Sequence, residues 1–390
     1  MTQLSLRAGL REWSTKAEEA ARGEMKQLHM RGTFKPVKIT DLSGTEKASI
    51  LESHMFLKKK RDNSIKVRTV AGGNKRRDFI SKEDSRSPTV ATEAVLLTCA
   101  IDAQEGRDVA VIDIPNAFIQ TKAERPQDQV LLRLRGLLAD LLVEIDPQTY
   151  KDFITKNNKG ESVLICRCMN AIYGTVIASL LYYRKFRKSV ELNGFTVNPY
   201  EPCVVNMTVD GHQQTICWHV DDCKISHVDP KANDDFIEVL RQEYENIFED
   251  GTGKMTVHLG KKLKYLGMDL DFSKPGVCQI SMPEYIQELL ATWNSAAPQE
   301  KGGKETTCAA PKDLFTVDDK SVKLSSENKE MFHSIVAKIL FATKRARPDT
   351  GTAISFLTTR VKDPEIDDWR KLSHLMKYIK ATKELMGLAF

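Results

Sequence analysis

The segment from Cys203 to Val228 constrains this chain more than any other, because it reads as consecutive β-strands turning at a pair of aspartates. Cys203-Val204-Val205-Asn206-Met207-Thr208-Val209 is rich in β-formers and ends at Asp210-Gly211, a strong signal for a tight hairpin. The return strand, Thr215 to Val220, alternates so that Ile216, Trp218 and Val220 would share one face. After Asp221-Asp222 comes another β-type run, Lys224 to Val228, closed by Asp229-Pro230. Adjacent carboxylates in an apolar, β-prone setting repel each other, and desolvation raises the cost. A divalent cation relieves both, and hard cations such as Mg²⁺ choose carboxylate oxygen. The dipeptide alone says little, since Asp-Asp occurs four times and Val-Asp-Asp recurs at Val317. Only the first copy lies between β-runs; the other three could all be surface charge.

Phosphoryl chemistry at a metal usually wants a third carboxylate. Asp108-Val109-Ala110-Val111-Ile112-Asp113-Ile114 is a short apolar strand with an acid near its end, followed by Pro115-Asn116-Ala117-Phe118. Asp113 reads either as that third ligand or as a strand-end acid capping a helix that starts near Pro115.

At 390 residues the chain predicts two to three subdomains. Its 41% hydrophobic and 28% charged residues are globular in balance, and the net charge of +5 is uninformative. Distribution says more: residues 58–77 hold nine Lys or Arg against one acid, Asp62, the footprint of a polyanion partner or a solvated loop. Within that block Met55–Lys58 and Ile65–Val70 read as two strands joined through Asp62-Asn63-Ser64, with Lys66 and Arg68 on one face. The eight cysteines lack zinc-type spacing and read as reduced, partly buried thiols. The polar N-terminus and the lack of any apolar run of 18 residues predict an intracellular protein without a membrane span.

Residues 9–30 read as a helix with Leu10, Trp13, Ala17, Ala20, Met25 and Leu28 as its apolar stripe, stopped by Gly32. Thr89 to Asp102 has helical period and an apolar character that suits burial. Val130–Leu134 and Val163–Cys168 read as strands, residues 136–162 as mixed, and 175–192 as a helix packed through Leu180, Leu181, Phe186 and Val190. Asp234 to Phe248 is amphipathic, and Lys264–Phe272 and Val277–Ser281 read as two further β-runs. Ser281-Met282-Pro283-Glu284 carries a capping-box pattern before a helix running to about Trp293. Asn294 to Thr307 reads as a linker, and the chain from Asn328 onward as helical with breaks near Pro348 and Pro364.

In order, these pieces are a basic hairpin, a strand carrying one Asp, a strand–turn–helix, and a hairpin carrying Asp-Asp. That order resembles the reverse transcriptase of copia-type LTR retrotransposons over nearly the whole chain. Glu24-Met25-Lys26-Gln27-Leu28 with Gly32-Thr33-Phe34 is similar to the opening segment, and Lys66-Val67-Arg68-Thr69-Val70-Ala71-Gly72-Gly73 to the basic fingers motif. Ile112-Asp113-Ile114-Pro115-Asn116-Ala117-Phe118 resembles the first catalytic motif, and Asn170-Ala171-Ile172-Tyr173-Gly174 the Lys-Ala-Leu-Tyr-Gly motif. His219-Val220-Asp221-Asp222 stands where the family has Tyr-Val-Asp-Asp, and Tyr265-Leu266-Gly267-Met268 where it has Phe-Leu-Gly-Ile. Arg347-Pro348-Asp349 and Trp369-Arg370-Lys371, with Tyr378 to Lys383, are similar to the connection region.

The resemblance implies an α+β right-hand polymerase: an N-terminal helix (1–31), fingers with a basic hairpin (32–107), a palm with an antiparallel sheet (108–273, with 125–168 partly fingers), and a helical thumb and connection (274–390). It implies copying of an RNA template into DNA from a DNA or RNA primer, using deoxynucleoside triphosphates and two Mg²⁺ ions, with Mn²⁺ as a substitute. Asp113 and Asp221 would bridge the metals, with Asp222 nearby. Lys66 and Arg68 would hold the triphosphate, the backbone of Ile114, Asn116 and Ala117 would lie near it, and Phe118 would sit beneath the sugar unless it is a core residue. Lys58, Lys59, Lys60, Arg61, Lys75, Arg76 and Arg77 would track template phosphates, while Tyr265, Leu266, Gly267 and Met268 would position the primer end. Integrase and capsid partners in a polyprotein or particle are implied, in the cytoplasm or nucleus, with no membrane. Three departures bear on activity. Ile177 stands where the family has a nucleotide-contacting Gln, and Ser179 where it has Pro. His219 replaces Tyr and adds a titratable group. The chain also stops about where the family's RNase H domain begins. A decayed remnant that binds nucleic acid without polymerising is the alternative, and a basic scaffold with surface acid pairs a third.

Overall fold

A computed structural model describes residues 3–59, 63–72, 87–175, 177–248, 253–297, 306–318 and 320–390. Lys60, Arg61, Lys75, Arg76 and Arg77 of the expected template track lie outside the described residues. The fold is mixed α+β, and the chain divides into two compact units that it visits alternately. The first comprises residues 1–89, 114–197 and 240–255; the second comprises 90–113, 198–239 and 256–390. No helix among the described residues is long and apolar enough to cross a membrane.

The first unit is built on a sheet whose central strands are Leu51–Lys59, Val130–Arg135 and Ser162–Cys168. Leu51–Lys59 runs parallel to Val130–Arg135, which pairs antiparallel with Ser162–Cys168. Ile65–Ala71 folds back on Leu51–Lys59 as an antiparallel hairpin, with Lys58 opposite Lys66 and Phe56 opposite Arg68. The expected N-terminal helix is two, Leu6–Trp13 and Thr15–Met30, broken at Ser14 (φ 45°). Only the second buries the stripe, through Ala17, Ala21, Met25 and Leu28, so Ala21 takes the place expected for Ala20. Residues 136–162, which carry no clear sequence pattern, contain the helix Leu137–Ile145, whose Leu138, Ala139, Leu141 and Leu142 are all buried. No helix starts near Pro115: residues 115–120 form turns, and Asn116 takes the left-handed conformation (φ 55°).

In the second unit the sheet runs Thr256–Leu259, Asp108–Asp113, Asp222–His227, His212–His219, Val204–Val209, every pairing antiparallel. Asp210-Gly211 forms the expected two-residue turn, both residues having φ > 0, as a type I′ turn requires. The alternation expected for the return strand fails in two ways. Val220 belongs to the next turn, and Cys217 is as buried as Ile216 and Trp218, because both faces of this strand are covered. A second sheet, Lys262–Tyr265, Met268–Asp271, Cys278–Ser281 and Gly387–Ala389, follows. The run expected to be one strand, 264–272, is therefore a hairpin turning at Leu266-Gly267 (φ 49° and 81°). The capping box at Ser281 does not form: Ser281 stays in its strand opposite Asp269, and Met282 starts the helix Pro283–Ala296 with no side-chain cap. Helices Ser326–Thr343, Gly351–Arg360 and Ile366–Ala381 complete the unit, with the Trp293 and Trp369 rings 5.2 Å apart and tilted by 32°.

Candidate functional site

In the second unit the three candidate carboxylates come together through strand register. Asp113 ends its strand directly opposite Asp222, and opposite residues of an antiparallel pair project from the same face. Cβ atoms in such pairs stand roughly 4.5–5.5 Å apart. His219 pairs with Asp222, so Val220 and Asp221 are the two central residues of the turn. Val220 has φ +59° and Asp221 does not have positive φ, the φ pattern of a turn that favours glycine first. A β-branched residue there is a true backbone outlier, and such strain concentrates at functional sites.

Cys223 reports the gathering of the acids from below. Burial raises its thiol pKa most, and Cys217, Asp222, Asp221 and Asp113 each push it further up. All three carboxylates thus act on one buried atom. Asp113 is exposed and the other two are half-buried, so the group is open to a ligand. Among the described residues, no group of three or more His, Cys, Asp or Glu side chains is arranged as a ready-made metal cage.

The hairpin is held from behind by Tyr265, Lys224 and Arg107. Tyr265, 2% exposed, donates its hydroxyl to the carbonyls of Cys217 (3.2 Å) and Asp222 (3.4 Å). The side chains of Tyr265 and Met268 are thus buried, while Leu266 is half-buried and Gly267 exposed at that turn. Lys224, 1% exposed, bonds to Asp102 of the helix Thr92–Gln104, and Arg107 donates to Thr215 Oγ1 (2.9 Å) and Ser226 Oγ (3.4 Å). Burial alone would lower the Lys224 ammonium pKa, but Asp102 beside it turns the net shift upward. A charged pair is thus buried directly behind the aspartate strand.

The first unit holds the residues expected at a triphosphate. Lys66 and Arg68 are exposed two apart on one face of their strand, and Lys58 and Lys59 are exposed on its partner. The Arg68 guanidinium lies 5.1 Å from the Tyr173 ring centroid, and Phe118 lies 5.0 Å from Tyr173. Glu24 accepts from the Thr69 N–H (2.8 Å); burial raises its carboxyl pKa, against the lowering pull of Thr69, Arg68 and Lys66. Gly174 is required by close approach: a Cβ there would stand 2.3 Å from the Ala71 carbonyl oxygen, at φ +84°. The Ala71 N–H in turn donates to the Tyr173 carbonyl (2.7 Å), which ties the basic hairpin to the Tyr-Gly motif. Asn116 donates to Gln27 Oε1 (3.3 Å). The side chains of Ile114 (0% exposed) and Ala117 (2%) are buried, so only their backbone is on offer. Ile177 is buried at 7% in an apolar cluster with Ala123, Ala171, Ala178 and Leu181, with Phe118 packed against it. Tyr173, Glu24 and Gln27 all lie in the stretches that carry the family resemblance, Glu24–Leu28 and Asn170–Gly174, and that placement is the sequence signal for them.

Comparison with known proteins identifies the class of relative. No family model matches the chain. The chain is 21% identical over 377 residues to the retrovirus-related Pol polyprotein from transposon TNT 1-94 of Nicotiana tabacum, covering 93% of this chain and 25% of that protein. It is 22% identical over 324 residues to the retrovirus-related Pol polyprotein from transposon RE2 of Arabidopsis thaliana, covering 83% and 19%. It is 23% identical over 214 residues to a putative transposon Ty5-1 protein of Saccharomyces cerevisiae, covering 55% and 64%. Its homologues are thus Ty/copia-type retrotransposon Pol polyproteins, at low identity, and the chain spans a quarter or less of the two plant polyproteins. Among solved structures it is similar to the foamy viral protease-reverse transcriptase in complex with double-stranded DNA, with TM-score 0.47, 12% identity, and coverage of 93% of this chain and 48% of that one. It is also similar to apo telomerase from Candida tropicalis, with TM-score 0.42, 13% identity, and coverage of 95% and 67%.

Proposed function

We propose that this chain is the polymerase portion of a Ty/copia-type reverse transcriptase, an RNA-directed DNA polymerase with fingers, palm and thumb. The observation that carries the reading is the register pair Asp113–Asp222 with Asp221 beside it at the strained Val220 turn. Like charges directly opposite on one sheet face are destabilising, and a cation bound there would offset that cost. The donor chemistry fits Mg²⁺, which is usually held by one or two carboxylates plus substrate phosphates instead of an all-protein cage. Asp113 and Asp221 would hold the ions, with Asp222 contributing less. When bound, Mg²⁺ would activate the primer 3′-hydroxyl and neutralise charge on the leaving pyrophosphate.

The chain's own groups do the remaining work. Lys66 and Arg68 grip the triphosphate of the incoming deoxynucleotide, Arg68 able to do so bidentately while it rests on Tyr173. Phe118, half-buried against Tyr173, would sit beneath the sugar and exclude a 2′-hydroxyl. Lys58 and Lys59 follow template phosphate without reading sequence. Template, primer and deoxynucleotides are the partners, with integrase and capsid as companions in a longer polyprotein. A second reading, a remnant that binds nucleic acid without polymerising, is favoured by Ile177, which is core where the resembling family has a polar nucleotide contact.

Primer extension on oligo(dT)-primed poly(rA), with Mg²⁺ and then Mn²⁺, tests both. Extension by the wild type that falls at least a hundredfold in Asp113→Asn and Asp221→Asn is the expected result. Salt-sensitive primer–template binding with no extension under either metal would establish the remnant instead.

A further inference from the structure

We propose that the first unit carries a separate polyphosphate-binding site, in the cavity between the loop Gln120–Asp128 and the helix Ala178–Leu192. Its ligand would be a nucleoside triphosphate or the phosphate backbone of a single nucleic-acid strand. The cavity has a volume of about 560 Å³, within the range of roughly 300–1,000 Å³ usual for small-molecule sites. Five cationic side chains line it against three acidic ones.

Of the acids, only Asp128 is paired with a cation among the described residues, and Glu124 and Glu243 keep two negative charges in the lining. Asp128 accepts a bidentate grip from Arg125 (2.7 and 2.9 Å), and Glu243 accepts from the Ser189 hydroxyl. The other cations line the cavity from two elements, Lys122 on the loop and Arg184, Lys185 and Lys188 on the helix, an excess of two positive charges over Glu124 and Glu243. Lys185 is the centre of the arrangement. It is half-buried, its Nζ donates to the Gln120 carbonyl (3.3 Å), and it stands 4.5 Å from the Tyr244 ring centroid. Burial lowers its pKa most, Glu243 opposes that, and the charge of Lys122 adds a smaller lowering. An anion in the cavity would add to Glu243 in offsetting the desolvation of Lys185 and the charge of Lys122. Leu181 and the 77%-exposed Leu192 line the same cavity, giving apolar surface for a base or sugar. None of these residues is among the carboxylates or the basic-hairpin cations, so the site does not depend on the polymerase reading.

The test uses the full chain in Mg²⁺-free buffer, with tripolyphosphate, ATP and a 12-nucleotide oligo(dT) as probes. Lys122 and Lys188 are exposed, so the double variant Lys122→Glu/Lys188→Glu should fold as the wild type does, checked by circular dichroism. The expected result is tripolyphosphate binding that weakens at least tenfold in this variant. Tripolyphosphate should also shield Lys185 from acetylation, read by mass spectrometry. That shielding should persist in Lys66→Ala/Arg68→Ala, which separates this site from the basic hairpin. ATP weakened tenfold with oligo(dT) unchanged identifies a nucleotide site; oligo(dT) weakened as well, with a shallower salt dependence, identifies a strand site. No tripolyphosphate binding, equal affinity in the double variant, or unshielded Lys185 would overturn the proposal.

Discussion

Val220 holds a β-branched side chain at φ +59°, a conformation that costs on the order of 1–3 kcal/mol. Glycine would remove that strain while adding roughly 0.4–1 kcal/mol of unfolded-chain entropy. Val220→Gly is therefore expected to keep or raise the melting temperature. Primer extension should fall nonetheless, because the turn presenting Asp221 loses its rigidity. A variant both less stable and fully active would contradict a functional role for the strain. Glu24 supplies the pH prediction. Its raised pKa means the folded state favours the protonated carboxyl, so its contribution to stability is complete below the ordinary value of 4.5 and is lost as pH rises through the raised value. Glu24→Gln keeps an oxygen for the Thr69 N–H without the charge. Its melting temperature relative to wild type should thus be higher at pH 7 than at pH 4, as calorimetry at the two values would show. At this scale Asp113 and the Asp221-Asp222 pair were legible because acids amid β-formers stand out. Lys224 was not: between Cys223 and Ile225 it reads as the outward residue of a half-buried strand. What buries it is Asp102, on a helix more than a hundred residues earlier in the chain.

At the scale of elements, strands were read well wherever their turns had two glycine-compatible residues, as at Asp210-Gly211. The hairpin at Leu266-Gly267 was missed because leucine rarely takes positive φ, so the run looked continuous. The helix Leu137–Ile145 is hard to read for another reason: it is nine residues long, its polar face is only Asp140 and Glu144, and Gly136 gives its start no capping side chain. That missed hairpin matters for the site, since its first strand carries Tyr265 to the back of the aspartate hairpin. Tyr265→Phe removes one hydroxyl that serves two carbonyls, at a cost of about 1 kcal/mol. The expected outcome is a small loss of stability and a several-fold loss of extension, with affinity for primer–template unchanged. A loss of affinity instead would give Tyr265 the role of a primer contact. The Gly174 motif shows a similar division: its glycine was legible as a turn, but the Ala71 carbonyl that makes it necessary comes from a strand far away in sequence.

For the whole molecule, the alternation of the chain between two units decides what can be separated from what. The strand Asp108–Asp113 lies between Asp222–His227 and Thr256–Leu259, so the second unit is not a contiguous stretch of sequence. A fragment spanning 198–390 lacks that strand and the Asp102 partner of Lys224, leaving a buried ammonium uncompensated. Such a fragment should show no cooperative thermal transition, whereas the full chain should; a sharp transition in the fragment would mean the sheet closes without its inner strand. The same topology sets a timetable during synthesis. Translation proceeds at about 5–20 residues per second, so Val109 to Ile112 waits on the order of 5–20 s for the first strand that flanks it. For that interval a nascent chain displays an apolar strand with both edges open to any neighbour on the polysome. The yield of this protein in a cell therefore depends on what shields four residues during those seconds, before either of their flanking strands has been made.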